Sequence, residues 1–583
     1  MRSKYQYLLE LTIGSTVYRF AEKEVYLQYN GINVKFNIGL SNISISNVIG
    51  QDSSLKVSAS LFPGSINISE LISFGYNPLL FKAKMIGYNN EDDLINSKVI
   101  INGQIDSPVY GTKYEPFDFE IVSLQSSKSI SLIQQSSNIN KSTWPRNKTT
   151  SPYSFPSEIQ GTIYPFIFGS PGKMKKSGIY ISDNVNLPFG SLTSNSEILL
   201  PLFGPKIYPV ETLPTLFDTF GNQVSTYDQT TIQNQLFLVA GHDLNNEITD
   251  IVVYDYSEDK YIEGISYSLL ELQKVKDELG RTVSVLKIPY SKDFKVDPTH
   301  EYYMIFNGEK SSTYNVNDGL GSLLLFLCSM VPDGYDISSI NDNKDLLNKI
   351  EASGWFQETS TISELIDKLI SDLPVLKING KNGIYFKLLD YKYDETKIKY
   401  SFKNKINCIR EGSISFTPKD EIKNNFIFNY ALSGDGKYWE KATITSEDNK
   451  NYKGSLDVSL NGGISLSVDY FFDLSQPITE TNVLSSLCLQ SQQIYGRRDL
   501  QINLPYVWNL GTIELLSENI VKKYCFPRRR MTYSCDLSFD YLVPGDFIKI
   551  TDEEIYINEQ VCIIEQVEIQ NDKMIISLEI MEK

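Results

Sequence analysis

Only two histidines, His242 and His300, occur in 583 residues, so general acid/base work, Ser-His or Cys-His nucleophiles and histidine-rich metal sites have almost no material to draw on. His242, in Ala240-Gly241-His242-Asp243, is the sharpest single candidate. A lone histidine of this kind is ordinarily a turn or core residue, and it is read so here. The sequence holds no HExxH, no GxSxG and no P-loop, and Gly434-Asp435-Gly436-Lys437 lacks the upstream glycine and the Ser/Thr of a phosphate cradle. A glycosidase needs only two carboxylates on a β-rich scaffold. With 71 Asp and Glu, no pair stands out. Asp92-Asp93 and Asn341-Asp342-Asn343 offer oxygens of the calcium-binding type but belong to no Asp-x-Asp-x-Asp-Gly loop, and they read as solvated turns. No catalytic residue, metal or cofactor is expected, and the chain is expected not to be an enzyme.

The remaining candidates are charged. Arg497 and Arg498, and the run Arg528-Arg529-Arg530, carry forked donors that suit ion pairs at a subunit boundary, although each also fits a solvated strand end. Asp546 follows Pro544-Gly545 and precedes the alternating Phe547-Ile548-Lys549-Ile550. That order is a turn opening a strand: Pro fixes φ, Gly accepts positive φ, and Asp bonds a nearby backbone N–H. All six residues are taken as candidate subunit-interface positions.

The elements that must position them are mostly strands. Tyr (37) and Phe (29) are abundant beside many Ile, Val and Thr, and such side chains suit a pleated, half-buried surface. A chain of this length folds as several packed units, since single cores rarely grow beyond about 250–300 residues. Residues 1–130 read as a β-barrel or sandwich, with alternation at 5–13, 17–20, 34–38, 57–61 and 117–122. Residues 131–310 read as an extended arm, rich in Ser, Asn, Thr and Pro to about 165, then a β-rich insertion that includes 236–239, 251–254 and 302–306.

Residues 311–400 read as a small α+β unit. Leu320, Leu323, Leu324 and Leu327 form one helical stripe, and a capping box, Thr361-Ile362-Ser363-Glu364, opens a second helix that ends before Pro374. A hairpin over 376–388 follows. Residues 401–583 read as a second β-barrel region with one late helix over 511–524, and strands are allowed to exchange between the first and last segments.

A formal charge of -17 and a pI near 4.8 exclude a protein that wraps nucleic acid by neutralising phosphates. An acidic wall repels a passing polyanion over about one Debye length, and the same charge also serves plain solubility. Cys328, Cys408, Cys488, Cys525, Cys535 and Cys562 show neither CxxC nor disulfide-like spacing and read as buried hydrophobes of a chain made in a reducing cell. Alternation at the N-terminus is a strand pattern instead of a secretion signal, and the longest apolar stretch, 323–328, falls far short of the roughly 20 residues that span a bilayer. A soluble protein with no membrane segment is expected.

Three blocks resemble one family. Gln493-Ile494-Tyr495-Gly496-Arg497-Arg498, a helix, Phe526-Pro527-Arg528-Arg529-Arg530, a strand, then Leu542-Val543-Pro544-Gly545-Asp546-Phe547-Ile548-Lys549-Ile550 resembles the tail hub proteins of long-tailed bacteriophages, which include the baseplate hub of T-even phages. Leu9-Glu10-Leu11-Thr12-Ile13 with Tyr18-Arg19-Phe20 and Asn102-Gly103-Gln104-Ile105 is similar to the first barrel of that family, and the stretch from Leu320 to Leu388 to its small α+β domain. The shared order of the blocks, over about half of the chain, carries the likeness. It implies a mainly β, multi-domain chain with two tail-tube-like barrels and a homotrimeric ring at the tail tip. That ring would join a six-fold tube to a three-fold tip and gate the channel. Implied partners are the tail tube or distal tail protein, tip or fibre proteins, the tape-measure protein, and DNA that passes without specific binding. Assembly in the host bacterial cytoplasm and residence in the virion follow from the same likeness. Residues 131–310 match nothing in the family and would carry any receptor-binding or fibre-docking role. The competing expectation is a phage tail protein that binds or depolymerises host-surface glycan, with clustered exposed aromatics or a carboxylate pair in a groove.

Overall fold

The computed structural model describes residues 6–29, 32–49, 54–88, 98–112, 114–123, 161–169, 319–331, 334–358, 360–380, 383–391, 395–432, 434, 436, 438–444, 453–460, 464–471, 479–508, 510–539, 541–569 and 573–581, with shorter segments between 175 and 306. The expected arm over 131–160 and the Asp92-Asp93 pair lie outside them.

The protein is mainly β. Alternation acts as it must in the first strand: Gln6–Ile13 pairs with Thr16–Ala21 on one side and Lys82–Tyr88 on the other. Leu9, Leu11 and Ile13 bury into the larger core, while Leu8 packs on the opposite face with Leu27 and Phe36. From there the sheet runs through Lys98–Val109, Phe117–Ser123 and Ser54–Leu61 to Leu40–Ile49 in one direction, and through Ile32–Ile38 to Val25–Tyr29 in the other. A short helix, Ile68–Ser73, interrupts the strands with Asn67 as its cap.

Strands of the first and last segments, which the sequence reading allowed to exchange, join in one sixteen-stranded sheet. Its second half is built from Ile557–Ile569, Met574–Ile580, Arg529–Cys535, Cys408–Arg410, Ser415–Phe416, Phe547–Asp552 and Ile398–Lys403. Val567, Glu568 and Ile569 pair antiparallel with Ile49, Val48 and Asn47, so the two halves are continuous. The cause is a mismatch in length. The Ile557–Ile569 strand has 13 residues against 6 in Phe547–Asp552, and its unmatched backbone takes its hydrogen bonds from the N-terminal half. Leu9, Val57 and Phe119 share one core with Tyr533, Ile550 and Ile576.

The segment 401–583 also divides between two cores. Asn425–Leu432 and Asp499–Leu504 pair in parallel within a separate five-stranded sheet. Phe426, Phe428 and Tyr430 pack from it into a core shared with helices Leu320–Ser329, Ile337–Leu347, Ile362–Ile370 and Leu510–Tyr524. The Leu320 stripe is fully buried there. Gly321 lets two helices close up, since a Cβ at that position would collide with the Lys344 carbonyl. The hairpin forms as Val375–Gly380 with Gly383–Leu388. The longest helix absent from the sequence expectations, Thr479–Tyr495, precedes the Arg497-Arg498 pair. Asn341-Asp342-Asn343 lies inside the Ile337–Leu347 helix, which corrects the expected turn, and Asn343 donates to the Ser339 carbonyl at 2.8 Å.

Between these bodies in the chain, seven strands within 203–306 form a third sheet. Phe166–Phe168 pairs with Gly354–Phe356, which ties the segment after the arm to the helical core.

The capping box is reciprocal: Thr361 Oγ1 accepts from the Glu364 amide at 3.3 Å, and a Glu364 carboxylate oxygen accepts from the Thr361 amide at 2.8 Å. Thr361→Ala is expected to lower stability by about 1 kcal/mol. The check is a urea titration followed by tryptophan fluorescence, to which Trp355 and Trp508 of this core contribute. An unmoved midpoint would show that the cap adds nothing.

Candidate functional site

Strand geometry gathers two of the six candidate residues on one carboxylate. Arg530 stands directly opposite Glu579 in the ladder between Arg529–Cys535 and Met574–Ile580, and Arg528 lies two residues before it. Glu579 is 2% exposed; its two oxygens accept from Arg530 Nε at 2.9 Å and Arg528 Nη1 at 3.0 Å. The remaining donors reach outward, from Arg530 Nη2 to Glu421 at 3.1 Å and from Arg528 Nη2 to the Lys522 carbonyl at the end of the last helix. The Arg528 guanidinium also covers the Tyr391 ring at 4.6 Å, and Tyr391 donates to Glu565 Oε1 at 3.4 Å. Five separate stretches of chain therefore meet at this cluster.

Glu565 occupies a β-bulge, where the register of Ile557–Ile569 against Met574–Ile580 shifts between Ile564 and Gln566. Burial, and then the neighbouring Glu579 carboxylate, raise its carboxyl from 4.5 to about 7, with Lys523 opposing. Burial also raises Glu579, but Arg528 and Arg530 outweigh it and hold that carboxyl below its usual value. The two carboxylates thus divide into a permanently charged one and one that takes up a proton near neutrality.

Asp546 belongs to a different cluster. It is 3% exposed; Lys387 Nζ donates to Oδ1, while Lys399 Nζ and the Val543 amide donate to Oδ2, each at 2.9 Å. Gly545 takes the positive φ of 79° that the turn reading requires. Asp546 therefore pins the hairpin and the Ile398–Lys403 strand to the turn within the chain. Desolvation lowers the Lys387 amine despite the attraction of Asp546.

The other arginines are apart from both clusters. Arg498 clamps loops: Nη1 donates to the Lys419 carbonyl at 2.7 Å, Nε to the Tyr495 carbonyl at 3.2 Å, and its amide to Asn424 Oδ1 at 2.7 Å. Arg497 is 54% exposed and pairs with Asp499 at 3.0 Å. Arg529, half-buried, stands opposite Phe416 on an edge strand.

A cluster that the sequence did not disclose surrounds Asp552, which is fully buried. It accepts from Tyr533 Oη at 3.0 Å and from the Glu554 amide at 3.1 Å, and Arg410 Nε approaches it at 3.5 Å. His242 is buried against Phe166 with Nε2 accepting from the Ile167 amide at 2.9 Å, which is the geometry of a core histidine. His300 Nδ1 contacts Asp255 Oδ2 at 3.0 Å. Among the described residues, no group of three or more His, Cys, Asp or Glu is arranged to hold a metal ion, and no helix is long and apolar enough to cross a membrane.

No family model matches the chain, and no curated protein matches it. Solved structures do. A 43 kDa tail protein of prophage MuSo2 from Shewanella oneidensis is 9% identical over 99% of this chain and 99% of its own, with a TM-score of 0.31. A chain from the virion of a native gene transfer agent particle is 9% identical over 76% of this chain and 89% of its own, with a TM-score of 0.37. A chain from the p2 virion baseplate in its activated conformation is 9% identical over 72% and 100%, with a TM-score of 0.14. These structural neighbours are tail, virion and baseplate chains.

The folded state keeps a proton on Glu565 up to about 7, whereas the unfolded chain releases it near 4.5. This residue thus favours the fold in acid, and the contribution is lost as pH rises between those values. Glu565→Gln fixes the uncharged form. It is expected to match the wild type near pH 4.5 and to exceed it by about 1–3 kcal/mol near pH 8, read from urea midpoints. A difference that did not change with pH would remove Glu565 from the titration.

Proposed function

We propose that this chain is a structural, non-enzymatic part of a bacteriophage tail, the hub at the distal end of the tail tube. One observation carries the reading. Among the described residues, the sixteen-stranded sheet ends in Val25–Tyr29 on the N-terminal side and, on the branched C-terminal side, in Cys408–Arg410, Ser415–Phe416 and Ile398–Lys403, the last paired with Phe547–Asp552. Both ends present exposed apolar side chains, Tyr26 at one and Ile409 and Phe416 at the other. Open, apolar edges attract strands from other chains, and a ring of copies buries them. Dissimilar edges favour head-to-tail contacts, which close when the rotation per copy divides a full turn.

In this reading the hub is a homotrimer that adapts a six-fold tube to a three-fold tip. It holds the channel shut until adsorption and then passes DNA or the tape-measure protein. The acidic balance suits a wall that repels DNA, and the exposed Arg497 suits a contact with tube, tip or fibre proteins. The hub would be assembled in the host cytoplasm and kept in the virion.

A second reading, a tail protein that binds or depolymerises host-surface glycan, is favoured by one feature. Phe74, Tyr76, Tyr110 and Tyr114 are exposed near the place where Ser69 Oγ of the short helix donates to the Gly111 carbonyl at 2.7 Å. Release of sugar from host polysaccharide by the purified protein would favour this reading over the hub.

Light scattering of the purified chain is expected to give about three times its 66.3 kDa mass, and a strictly monomeric mass at high concentration would contradict the ring. Phe416→Asp, at an exposed edge position, is expected to shift the population toward monomer by more than tenfold in dissociation constant while leaving the circular dichroism spectrum unchanged. Unchanged association would remove this edge from the contact.

A further inference from the structure

The six cysteines, which linear spacing leaves unrelated, do not remain so in the fold. Cys488 lies on the Thr479–Tyr495 helix, and Cys525 follows directly on the Leu510–Tyr524 helix. Their Sγ atoms are 3.6 Å apart, and the two residues are 0% and 1% exposed. Neither position is left to chance. Ser491, three residues after Cys488 on the same helix, donates through Oγ to the Cys525 carbonyl. The Cys525 amide donates to the Val521 carbonyl at 3.1 Å, and Asn424 Nδ2 reaches Ser491 Oγ at 3.2 Å. This buried network fixes the two backbones on either side of the sulfurs.

We propose that Cys488 and Cys525 form a latent cross-linking site, a dithiol that closes into an intrachain disulfide between the two helices when the chain meets a small-molecule disulfide. The sulfurs need to approach by about 1.5 Å to reach bonding distance, a movement that side-chain rotation supplies once both backbones are held. In the reaction, one thiolate attacks a sulfur of the oxidant, breaks its S–S bond and releases one small thiol. The second cysteine then attacks the mixed disulfide, forms the intrachain S–S bond and releases the second thiol. The two cysteine protons end on the released thiols, and two electrons pass from the pair to the oxidant.

Contact with Cys488, followed by burial, pushes the Cys525 thiol up, so closure is slow and waits on local opening. The same burial slows reduction of the finished bond. A chain made in a reducing cell and carried outside it would thereby gain a clasp after assembly. Cys408 and Cys535 supply an internal comparison: they are cross-strand partners, but the Cys535 thiol is directed at the Met574 carbonyl at 3.6 Å.

The test uses the full chain, treated with oxidised glutathione in native buffer, quenched with acid, alkylated in denaturant and mapped by proteolysis and mass spectrometry. The expected product is one cross-linked species joining the Cys488 and Cys525 peptides, two hydrogens lighter than their sum, with Cys328 and Cys562 still alkylated. The oxidised protein should melt several degrees higher, and dithiothreitol should reverse the rise. Cys488→Ser should abolish both the cross-link and the rise, whereas Cys408→Ser should retain them. Complete alkylation of both cysteines after oxidation, arrest at glutathione adducts, or a rise that survives in Cys488→Ser would overturn the proposal.

Discussion

The Ile557–Ile569 strand needs hydrogen-bond partners along thirteen residues, and Phe547–Asp552 supplies them only beside its first half. The rest of that edge is matched by Asn47–Ile49, close to the other end of the chain. Unpaired backbone next to a buried core is costly, so this requirement draws the first and last segments into one sheet and one core. The bulge at Glu565 belongs to the same constraint. It bends and twists the strand where one partnership gives way to the other.

Charge is built into that core under strict pairing. Glu579 has Arg528 and Arg530, Asp546 has Lys387 and Lys399, and Asp552 has Tyr533 and Arg410. Loss of one member of such a buried pair leaves a charge without compensation, which destabilises far more than the pair itself stabilises. Each cluster also joins pieces remote in sequence, so these ion pairs specify which segments dock as well as how firmly. Glu565 differs from the rest because burial first, and then the carboxylate beside it, raises its carboxyl to about 7.

Strands were legible in the sequence where residue types alternate, as at Gln6–Ile13 and Met574–Ile580, and so were elements with a local signature: the Leu320 stripe, the Thr361–Glu364 box and the Pro544-Gly545-Asp546 turn. The Thr479–Tyr495 helix was not, because TETNVLSSLCLQSQQIY is rich in Ser, Thr and Gln and shows no apolar stripe; packing on the Leu510–Tyr524 helix decides it. The arginines were visible as a class, but their destinations were not. The one linear hint was Glu579, a charge in the otherwise apolar end of Met574–Ile580. The joining of 47–49 to 567–569 and the meeting of Cys488 with Cys525 have no linear trace, since both are set by tertiary pairing alone.

The proposed ring rests on the open sheet edges among the described residues, on a fold whose first and last segments are joined by strand pairing and on buried ion pairs that pin the C-terminal half. Two-dimensional class averages of the purified particles by electron microscopy address that claim most directly. A closed ring of a few copies around a central channel is expected. Solitary particles, with the sheet edges facing solvent, would contradict it.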